Sequence, residues 1–376
     1  MSGLYIHIPF CKSRCIYCGF YSTTSTEFIE KYTKCICEEL RIRKDYLCKP
    51  VSTIYFGGGT PSLLSSEHIA KIINAIYKYN KVENNCECTM ECNPDDVSQE
   101  FIQELSALNI NRISMGAQSF SDDILNFARR RHSYEQISKA VEILRKNSIK
   151  NISIDLMFGF PGETISQWNN DIDNAIKLNI EHISAYSLMY EEGTVLYKML
   201  SEGKIKECSD ELYLDMYNLL IDKLKNAGYE HYEISNFAKP GFRSRHNSSY
   251  WHNIPYLGVG AAAHSYNLIS RQWNISNLTK YIESIENGII PAEKETLSTD
   301  TKFDDYVMTS LRTCDGIDLE YIKTNFSEKH HEYLRKESEP HIKNGLLEYT
   351  DNQKRLKLTR KGIFLSDSIM SDLMYV

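Results

Sequence analysis

The segment Cys11–Cys18 reads CKSRCIYC, with three cysteines spaced C-x3-C-x2-C, and it follows the short apolar run Leu4–Ile8. Thiolates are soft ligands that select iron–sulfur clusters or zinc. Three thiolates can ligate three irons of a cubane [4Fe–4S] cluster and leave the fourth iron open to another ligand. We therefore predict that Cys11, Cys15 and Cys18 hold such a cluster.

A zinc knuckle is the alternative interpretation of the same triplet. Structural zinc is usually bound by four ligands that come from two close pairs of cysteine or histidine. Here a single triplet follows a predicted strand, and no fourth ligand stands close to it in the sequence. The pattern therefore favours the cluster over zinc.

The chain contains 11 cysteines, and those outside the triplet are scattered. An odd number without regular spacing argues against a disulfide framework and for a reducing compartment. Cys86, Cys88 and Cys92 raise the alternative of a second metal site. Cys88 and Cys92 fall in a predicted buried strand, however, where free cysteine behaves as a small apolar residue.

Short apolar segments alternate with longer helical patterns through the first part of the chain. The predicted strands are Leu4–Ile8, Thr53–Phe56, Cys88–Cys92, Arg112–Met115, Ile152–Phe158 and His182–Leu188. The predicted helices are Glu27–Tyr46, Ser65–Tyr79, Ser98–Leu108, Tyr134–Asn147, Ser166–Leu178 and Asp210–Ala227. Six strand–helix repeats are typical of a parallel α/β fold and fall short of the eight of a closed barrel. We predict a partial (β/α)6 barrel over residues 1–230, with its polar residues at the carboxyl ends of the strands.

The pattern changes after the sixth repeat. Residues 231–296 are predicted to link two domains, with a long ordered loop and one strand between 235 and 263. Residues 297–376 are predicted to form a small winged-helix-like α+β domain. Its expected elements are two strands, Leu346–Thr350 and Arg355–Thr359, and a closing helix, Gly362–Met374.

The composition is that of an ordinary globular protein, with 42% hydrophobic residues and a net charge of −7 over 376 residues. The acidic balance argues against bulk electrostatic binding to nucleic acid or to an anionic membrane. No apolar run is long enough to span a bilayer, and the cysteine triplet stands where a signal peptide would need its apolar region. We expect a cytoplasmic protein with at most peripheral membrane contact.

Several segments of the chain, taken in order, carry a family resemblance. They are Tyr5–Cys11 with the cysteine triplet, Phe56–Pro61, Glu91–Pro94, Arg112–Phe120, Asp155–Pro161 and Tyr256–Gly260. Over nearly the whole chain they resemble the radical-SAM coproporphyrinogen dehydrogenase family, HemN, and its relative HemW, the haem chaperones. The resemblance implies that S-adenosylmethionine (SAM) binds the open iron through its amino and carboxylate groups. It also implies that one electron from the cluster cleaves SAM to methionine and a 5′-deoxyadenosyl radical.

The same resemblance assigns the remaining cofactor-binding residues. Those implied to bind SAM are Gly58, Gly59, Thr60, Glu91, Gln118, Arg130 and Asp155, and those implied to pack beside the cluster are Tyr5 and Tyr17. The residue types suit the task, because glycines admit a close ligand, carboxylates accept from hydroxyl or amino groups, and a guanidinium pairs with a carboxylate. Each could instead be a satisfied polar residue on the barrel rim, and the three consecutive arginines 129–131 leave open which one takes the role.

Three features separate the two branches of the family. HemN-type oxidases carry a fourth cysteine two residues after the third, where this chain has Phe20, as HemW-type proteins do. HemN-type oxidases also carry a long segment ahead of the cluster, whereas ten residues precede Cys11 here. Gly19 departs from this assignment, because many HemW-like sequences have aspartate there. The balance favours HemW.

The segment His246–Trp251 reads HNSSYW and resembles the H-N-x-x-Y-W segment of HemW that is implicated in haem binding. Imidazole is a common axial haem ligand, and aromatic rings pack on porphyrin faces. His246 is therefore predicted to be a haem ligand. The alternative is that His246 holds the loop by hydrogen bonds while Tyr250 and Trp251 fill the core. His264 is a weaker candidate, facing either haem or the cofactor site.

These predictions lead to one favoured function and two alternatives. The favoured function is a haem chaperone that takes haem, from a donor protein where one exists, and delivers it to haem-requiring proteins such as respiratory enzymes. The cluster and SAM would gate transfer or dimerisation. The first alternative is an oxygen-independent coproporphyrinogen III oxidase. The second is a radical-SAM enzyme that acts on another small molecule.

Overall fold

The computed structural model describes residues 1–375 and is built around six parallel strands, each hydrogen-bonded to the next in chain order. They are β1 (Ser2–Ile8), β2 (Val51–Gly58), β3 (Val82–Cys92), β4 (Arg112–Gln118), β5 (Asn151–Phe158) and β6 (His182–Ser187). All six predicted strands are present. The predicted partial (β/α)6 barrel is therefore confirmed.

Eight helices accompany these strands. They are α1 (Ile29–Ile42), α2 (Ser66–Tyr79), α3 (Gln99–Ala107), α4 (Asp122–Phe127), α5 (Tyr134–Lys146), α6 (Ile165–Lys177), α7 (Val195–Ser201) and α8 (Asp210–Asn226). Helix starts follow local capping chemistry, as where the Ser65 side chain accepts the backbone N–H of His68 and Thr164 forms a capping box with Gln167. The first helix is predicted over Glu27–Tyr46, whereas α1 in the structure spans only Ile29–Ile42.

Strand side chains alternate between the helices and the interior of the barrel. On β1, Leu4, Ile6 and Ile8 are fully buried in the main hydrophobic core, which also includes the apolar faces of the helices. The intervening residues, Tyr5 and His7, face the other side of the strand. The interior of the barrel is therefore the polar side, and the helices cover the apolar side.

Residues 231–296 extend the sheet at both edges and are more ordered than the predicted loop with one strand. Their elements are β7 (Glu230–Glu233), β8 (Asn236–Ala238), α9 (Arg245–Trp251), β9 (Tyr256–Val259), β10 (His264–Tyr266), β11 (Ser270–Asn274), α10 (Leu278–Glu286) and β12 (Ala292–Thr296). β8 pairs with β6, whereas β9 pairs in parallel with β1 and continues antiparallel through β10 to β12. Strands of three to five residues are too short to show alternation, so the sequence pattern missed most of them.

The last part of the chain has its own three-stranded sheet and its own hydrophobic core. Its elements are α11 (Thr299–Leu311), β13 (Ile317–Asp318), α12 (Leu319–Asn325), α13 (Glu328–Lys343), β14 (Leu347–Thr350), β15 (Arg355–Leu358), α14 (Arg360–Ile363) and α15 (Ser366–Asp372). The predicted hairpin is present, whereas the single closing helix Gly362–Met374 is wrong, since two short helices stand there. The boundaries 1–230, 231–296 and 297–376 stay predictions, and Val376 lies outside the described residues.

Across residues 1–375, none of the helices combines the length and the apolar character needed to cross a membrane.

Candidate functional site

The three cysteines of the triplet line one cavity of about 150 Å³ at the carboxyl end of β1. Cys11 is buried, and Cys15 and Cys18 are half-buried. The loop is fixed at its start, because the Cys11 N–H donates to the carbonyl of Thr23 at 2.9 Å. The Thr60 hydroxyl also donates to Cys11 Sγ at 3.5 Å. The loop thus presents three sulfur ligands to one enclosed space.

The three thiols do not form a preformed single-ion site among the residues that the structure describes. Burial raises the pKa of the Cys11 and Cys18 thiols, so these thiols are protonated until a metal takes the sulfur as thiolate. Within residues 1–375, no three histidine, cysteine, aspartate or glutamate side chains form a group that could hold one metal ion. Thiolates of a cubane each ligate a different iron, so they need not converge on one point.

The glycine segment after β2 approaches the cysteine loop closely. A Cβ atom on Gly59 would lie 2.8 Å from the carbonyl carbon and oxygen of Pro9, which are backbone atoms that cannot yield. Gly58 has a φ of +115°, and a Cβ there would lie 2.6 Å from the His7 ring. Only glycine fits both positions, and with Thr60 they line the cavity.

Two carboxylates follow the neighbouring strands. Glu91 accepts from the Tyr55 hydroxyl at 2.8 Å and from the Gly58 N–H at 3.1 Å. Burial raises the pKa of Glu91 to about 7 and that of Asp155 to about 6. Both carboxyls are therefore poised to gain or lose a proton near neutral pH. Neither lines the cluster cavity itself, and Glu91 stands directly behind Gly58.

Arg130 is the arginine that contacts the cysteine triplet. Its Nη1 donates to Cys15 Sγ at 3.4 Å, and its Nη2 donates to the Asn93 side chain at 2.7 Å and to the Gly116 carbonyl at 2.6 Å. Its Nε is buried and has no partner among the described residues. Arg131 instead pairs with Asp95 and Asp96, and Arg129 is exposed. The placement favours Arg130 over its two neighbours as the ligand-binding arginine.

The structure adds one residue to the predicted set and explains another. Asn93 links the two sides of the cavity, since it accepts from Arg130 and its Nδ2 lies 3.4 Å from the Thr60 hydroxyl. Its place directly after β3, in the segment Glu91–Pro94, was the available signal. Gln118 lies at an irregularity of β4 with a φ of +65°. Strained backbone of this kind is common at ligand sites. Here the Gln118 side chain lines the cavity.

The two tyrosines predicted to flank the cluster occupy different places. Tyr17 lines the cluster cavity. Tyr5 lines a larger cleft next to it, where its hydroxyl is 2.9 Å from His7 Nδ1 and its ring stacks near Tyr55 and His246.

This larger cleft has a volume of about 970 Å³ and opens beside the cluster cavity. We call it the aromatic cleft, because its walls include Tyr5, Phe20, Tyr21, Tyr250, Trp251, Tyr256 and Tyr266. Arg14, Phe20 and Ser22 line both spaces and form a shared wall. Among residues 1–375, Phe20 is the most exposed large apolar side chain, at 72%. A ligand in the cleft would therefore lie next to the cluster.

The predicted haem ligand, His246, lies behind this cleft rather than in it. Its side chain is 1% exposed, and its Nδ1 lies 2.9 Å from the Thr53 hydroxyl. Its Nε2 lies 2.8 Å from the hydroxyl of Tyr250, which with Trp251 lines the cleft. Both ring nitrogens are thus engaged, and the segment forms α9 rather than a loop. In this geometry iron could reach His246 only after one of the two hydrogen bonds breaks.

Comparison with known proteins identifies the family. A model of the Radical SAM superfamily matches residues 5–175, and a model of the HemN C-terminal domain matches residues 297–365. The protein named Heme chaperone HemW in Lactococcus lactis is 34% identical over 99% of this chain and 97% of its own. That in Bacillus subtilis is 35% identical over 88% of this chain and 87% of its own. The chain belongs to the HemW family. The resemblance found in the motifs is thereby confirmed.

The chain also shares its fold with a solved structure of the HemN branch. Coproporphyrinogen III oxidase (HemN) from Escherichia coli, a radical-SAM enzyme, matches with a TM-score of 0.86 over 99% of this chain and 89% of that one. Sequence identity is 22%, so the likeness shows the architecture alone. The departure at Gly19 lies beside the side chain of Glu191. A Cβ there would lie 1.7 Å from Glu191 Oε2, so an aspartate would bring a second carboxylate against Glu191.

Membership in this radical-SAM family implies a [4Fe–4S] cluster and SAM, and the residues present fit both groups. Three sulfur atoms and a glycine cradle share one cavity, and the buried Arg130 Nε has an unused donor. When bound, the cluster and SAM together supply electron transfer and radical chemistry at this position. The residues that line the cavity would hold these ligands, and Arg14, Phe20 and Ser22 stand between the cavity and the aromatic cleft.

We expect SAM binding to weaken as the pH falls through 7, because the neutral carboxyl of Glu91 can no longer act as a full acceptor. With its pKa near 7, the ionised fraction of Glu91 falls about tenfold between pH 8 and pH 6, and the affinity should fall with it. Isothermal titration of cluster-loaded protein with SAM measures this effect. The control is Glu91→Gln, which cannot titrate and should lose this component while it keeps the titration of SAM itself. Equal pH profiles for the two proteins would contradict the role of Glu91.

Proposed function

We propose that this protein is a haem chaperone, which binds haem and delivers it to haem-requiring proteins with the help of a [4Fe–4S] cluster and SAM. The observation that carries the proposal is the aromatic cleft of about 970 Å³ whose wall is shared with the cluster cavity. This volume lies at the upper end of the roughly 300–1,000 Å³ of pockets for small molecules and cofactors. Relatives named Heme chaperone HemW, similar over nearly the full chain, support the same function.

The proposal assigns a role to each group of residues. Cys11, Cys15 and Cys18 ligate the cluster, and Tyr17 packs beside it. The residues that hold SAM are Gly58, Gly59, Thr60, Glu91, Gln118, Arg130 and Asp155. Tyr5 and the other rings of the aromatic cleft pack on the porphyrin, and His246 supports the Tyr250 wall. His246 as the iron ligand stays a prediction.

Phe20 and its neighbours on the shared wall connect the two sites. Phe20, Arg14 and Ser22 belong to the loop of the cysteine triplet, so ordering this loop by a cluster also shapes one side of the aromatic cleft. Haem in the cleft and SAM in the cavity would thus contact opposite sides of the same few residues. We propose that this wall couples the state of the cluster site to haem transfer.

The partners follow from the same function. We propose a haem donor upstream and haem-requiring proteins such as respiratory enzymes downstream, with dimerisation as a step that the cluster gates. The proposed location is the cytoplasm, with at most peripheral membrane contact. A net charge of −7 gives no support for nucleic acid as a partner.

The test is an anaerobic titration of the cluster-reconstituted protein with haem, followed by absorption spectroscopy. We expect saturation at about one haem per chain, since ligand sites of this kind are few per protein. A parallel assay supplies coproporphyrinogen III with SAM and a reductant. Absence of haem binding together with porphyrin formation would replace the chaperone by the oxidase. Absence of both, with turnover of SAM, would point to an enzyme with another small-molecule substrate.

A further inference from the structure

Two histidine rings line the aromatic cleft, and they differ in what their nitrogens contact. His7 is 5% exposed, its Nδ1 lies 2.9 Å from the Tyr5 hydroxyl, and its Nε2 lies 3.1 Å from the carbonyl of Tyr21. His264 is exposed and lines the same cleft. Among the described residues, no hydrogen bond or ion pair engages either nitrogen of His264. Of the two histidines, His264 is therefore the one whose ring nitrogens are free to bind a metal.

The strand that carries His264 is held firmly. His264 begins β10, and its neighbour Ser265 is buried, donates to the Gly258 carbonyl at 3.3 Å and accepts from Arg43 Nη2 at 3.2 Å. Side chains alternate along a strand, so a buried Ser265 requires that His264 point to the opposite side. There its ring stacks near Trp273, with ring centres 6.3 Å apart and planes at 29°.

The backbone approach to β10 leaves little room for His264 to shift. A Cβ atom on Gly258 would lie 2.0 Å from the His264 carbonyl oxygen, so strands β9 and β10 pack backbone against backbone at this point. The turn before β10 contains Gly260 with a φ of +108° and Ala262 with a φ of +62°. A rigid backbone and a stacked ring hold the imidazole in one orientation, which lowers the entropic cost of binding a metal centre.

We infer that His264 supplies an axial imidazole ligand to the iron of a haem seated in the aromatic cleft. The inference rests on the proposed function, because it names the ligand within the proposed haem site. Partial burial and the nearby charge of Arg271 lower the pKa of His264, which keeps the ring neutral at neutral pH with its lone pair available. The flanking rings of Tyr250, Trp251 and Tyr256 supply apolar contact for the porphyrin. Ligation displaces a weak ligand such as water from the iron and changes no oxidation state.

This assignment differs from ligation by His246, which would break a hydrogen bond to Thr53 or Tyr250 and require a buried ring to emerge. The two assignments make opposite predictions for single variants. Removal of the His264 imidazole leaves the aromatic rings of Tyr250, Trp251 and Tyr256 in place but takes away the ligand. Removal of the His246 imidazole leaves Tyr250 without its partner and alters the wall, while the iron ligand stays.

The experiment is an anaerobic haem titration of full-length, cluster-loaded protein in four forms: unchanged, His264→Ala, His246→Ala and His68→Ala. His68 lies on α2, pairs with Glu30 and does not line the cleft, so it is the matched control. We expect His264→Ala to weaken haem binding by at least about tenfold, the lower limit for losing even an outer-sphere partner of a metal. It should also lose the low-spin absorption bands of imidazole-ligated haem, and added imidazole should restore them.

Two results would overturn the assignment of His264. The first is an unchanged affinity and spectrum in His264→Ala. The second is loss of the imidazole-ligated spectrum in His246→Ala while iron content and circular dichroism stay normal. Absence of haem binding in all four proteins would instead overturn the proposed function, and the ligand assignment with it. The two failures are distinguishable, because only the last affects the unchanged protein.

Discussion

Replacing Cys15 with alanine should give a folded protein that no longer holds a [4Fe–4S] cluster. A cubane bound by three thiolates already has one iron without a protein ligand, so the loss of another leaves half of its irons unanchored. Cys15 is half-buried in a loop and lies outside the main hydrophobic core, so folding should be little affected. The measurement is iron and sulfide content after anaerobic reconstitution, with the broad visible absorption of the cluster as a second reading.

The matched control is Cys48→Ala, which removes an exposed cysteine far from the triplet in sequence. This variant should retain the full iron content. Reconstitution of the unchanged protein tests the zinc alternative. A zinc knuckle would bind zinc and show no visible absorption. Full iron and sulfide in Cys15→Ala would contradict the assignment of the triplet.

The parts of the fold and site that the sequence predicted are those with strong local signals. Six apolar runs between helical patterns indicated the parallel strands, since most residues of each run are buried and a loop bounds each run. The cysteine spacing and the glycine segment also stand out in the sequence, and both segments line the cluster cavity. Arg130 was chosen among three consecutive arginines by position in the family pattern, and its contact with Cys15 Sγ supports that choice.

The parts that the sequence missed depend on partners far away in the chain. β9 pairs with β1, about 250 residues earlier, and the four residues Tyr256–Val259 carry no pattern that indicates such a partner. His246 is buried in the fold, where its Nδ1 lies 2.9 Å from the hydroxyl of Thr53, a residue 193 positions earlier in the chain. A residue type suggests what a side chain can bind, but access to it is decided by such long-range contacts. His264 was therefore ranked below His246 by motif, and our inference of His264 as the ligand follows from its exposure instead.

The largest expected loss of stability is that of Glu39→Ala. Glu39 on α1 is fully buried and accepts four hydrogen bonds: from the Gly260 N–H at 2.9 Å, Asn274 Nδ2 at 2.8 Å, the Tyr281 hydroxyl at 2.7 Å and Arg43 Nη1 at 3.2 Å. Its removal leaves the Arg43 guanidinium buried without a countercharge and deprives the Gly260 N–H and the Tyr281 hydroxyl of their acceptor, while Asn274 Nδ2 keeps only its bond to the Gly260 carbonyl. Breaking a buried pair in this way costs about 3–5 kcal/mol.

Urea unfolding of the cluster-free protein measures this loss, and Glu38→Ala is the matched control. Glu38 is the preceding residue on the same helix and makes an exposed ion pair with Arg41, which contributes about 0.3–0.5 kcal/mol. A free energy of unfolding for Glu39→Ala within about 1 kcal/mol of the control would contradict the role of the buried network.

Loss of the Glu39 carboxylate should weaken haem binding in the aromatic cleft more than it weakens cluster binding. Arg43 donates to the carbonyl of Gly258 and to Ser265, and Glu39 itself holds the Gly260 N–H, so the network anchors the turn that presents His264. The cysteine loop is anchored separately, through Thr23 and Thr60. Under conditions where Glu39→Ala is still folded, we therefore expect haem affinity to fall while iron content after reconstitution stays close to that of the Glu38→Ala control. An equal loss of both would mean that the edge strands and the cluster loop unfold as one unit.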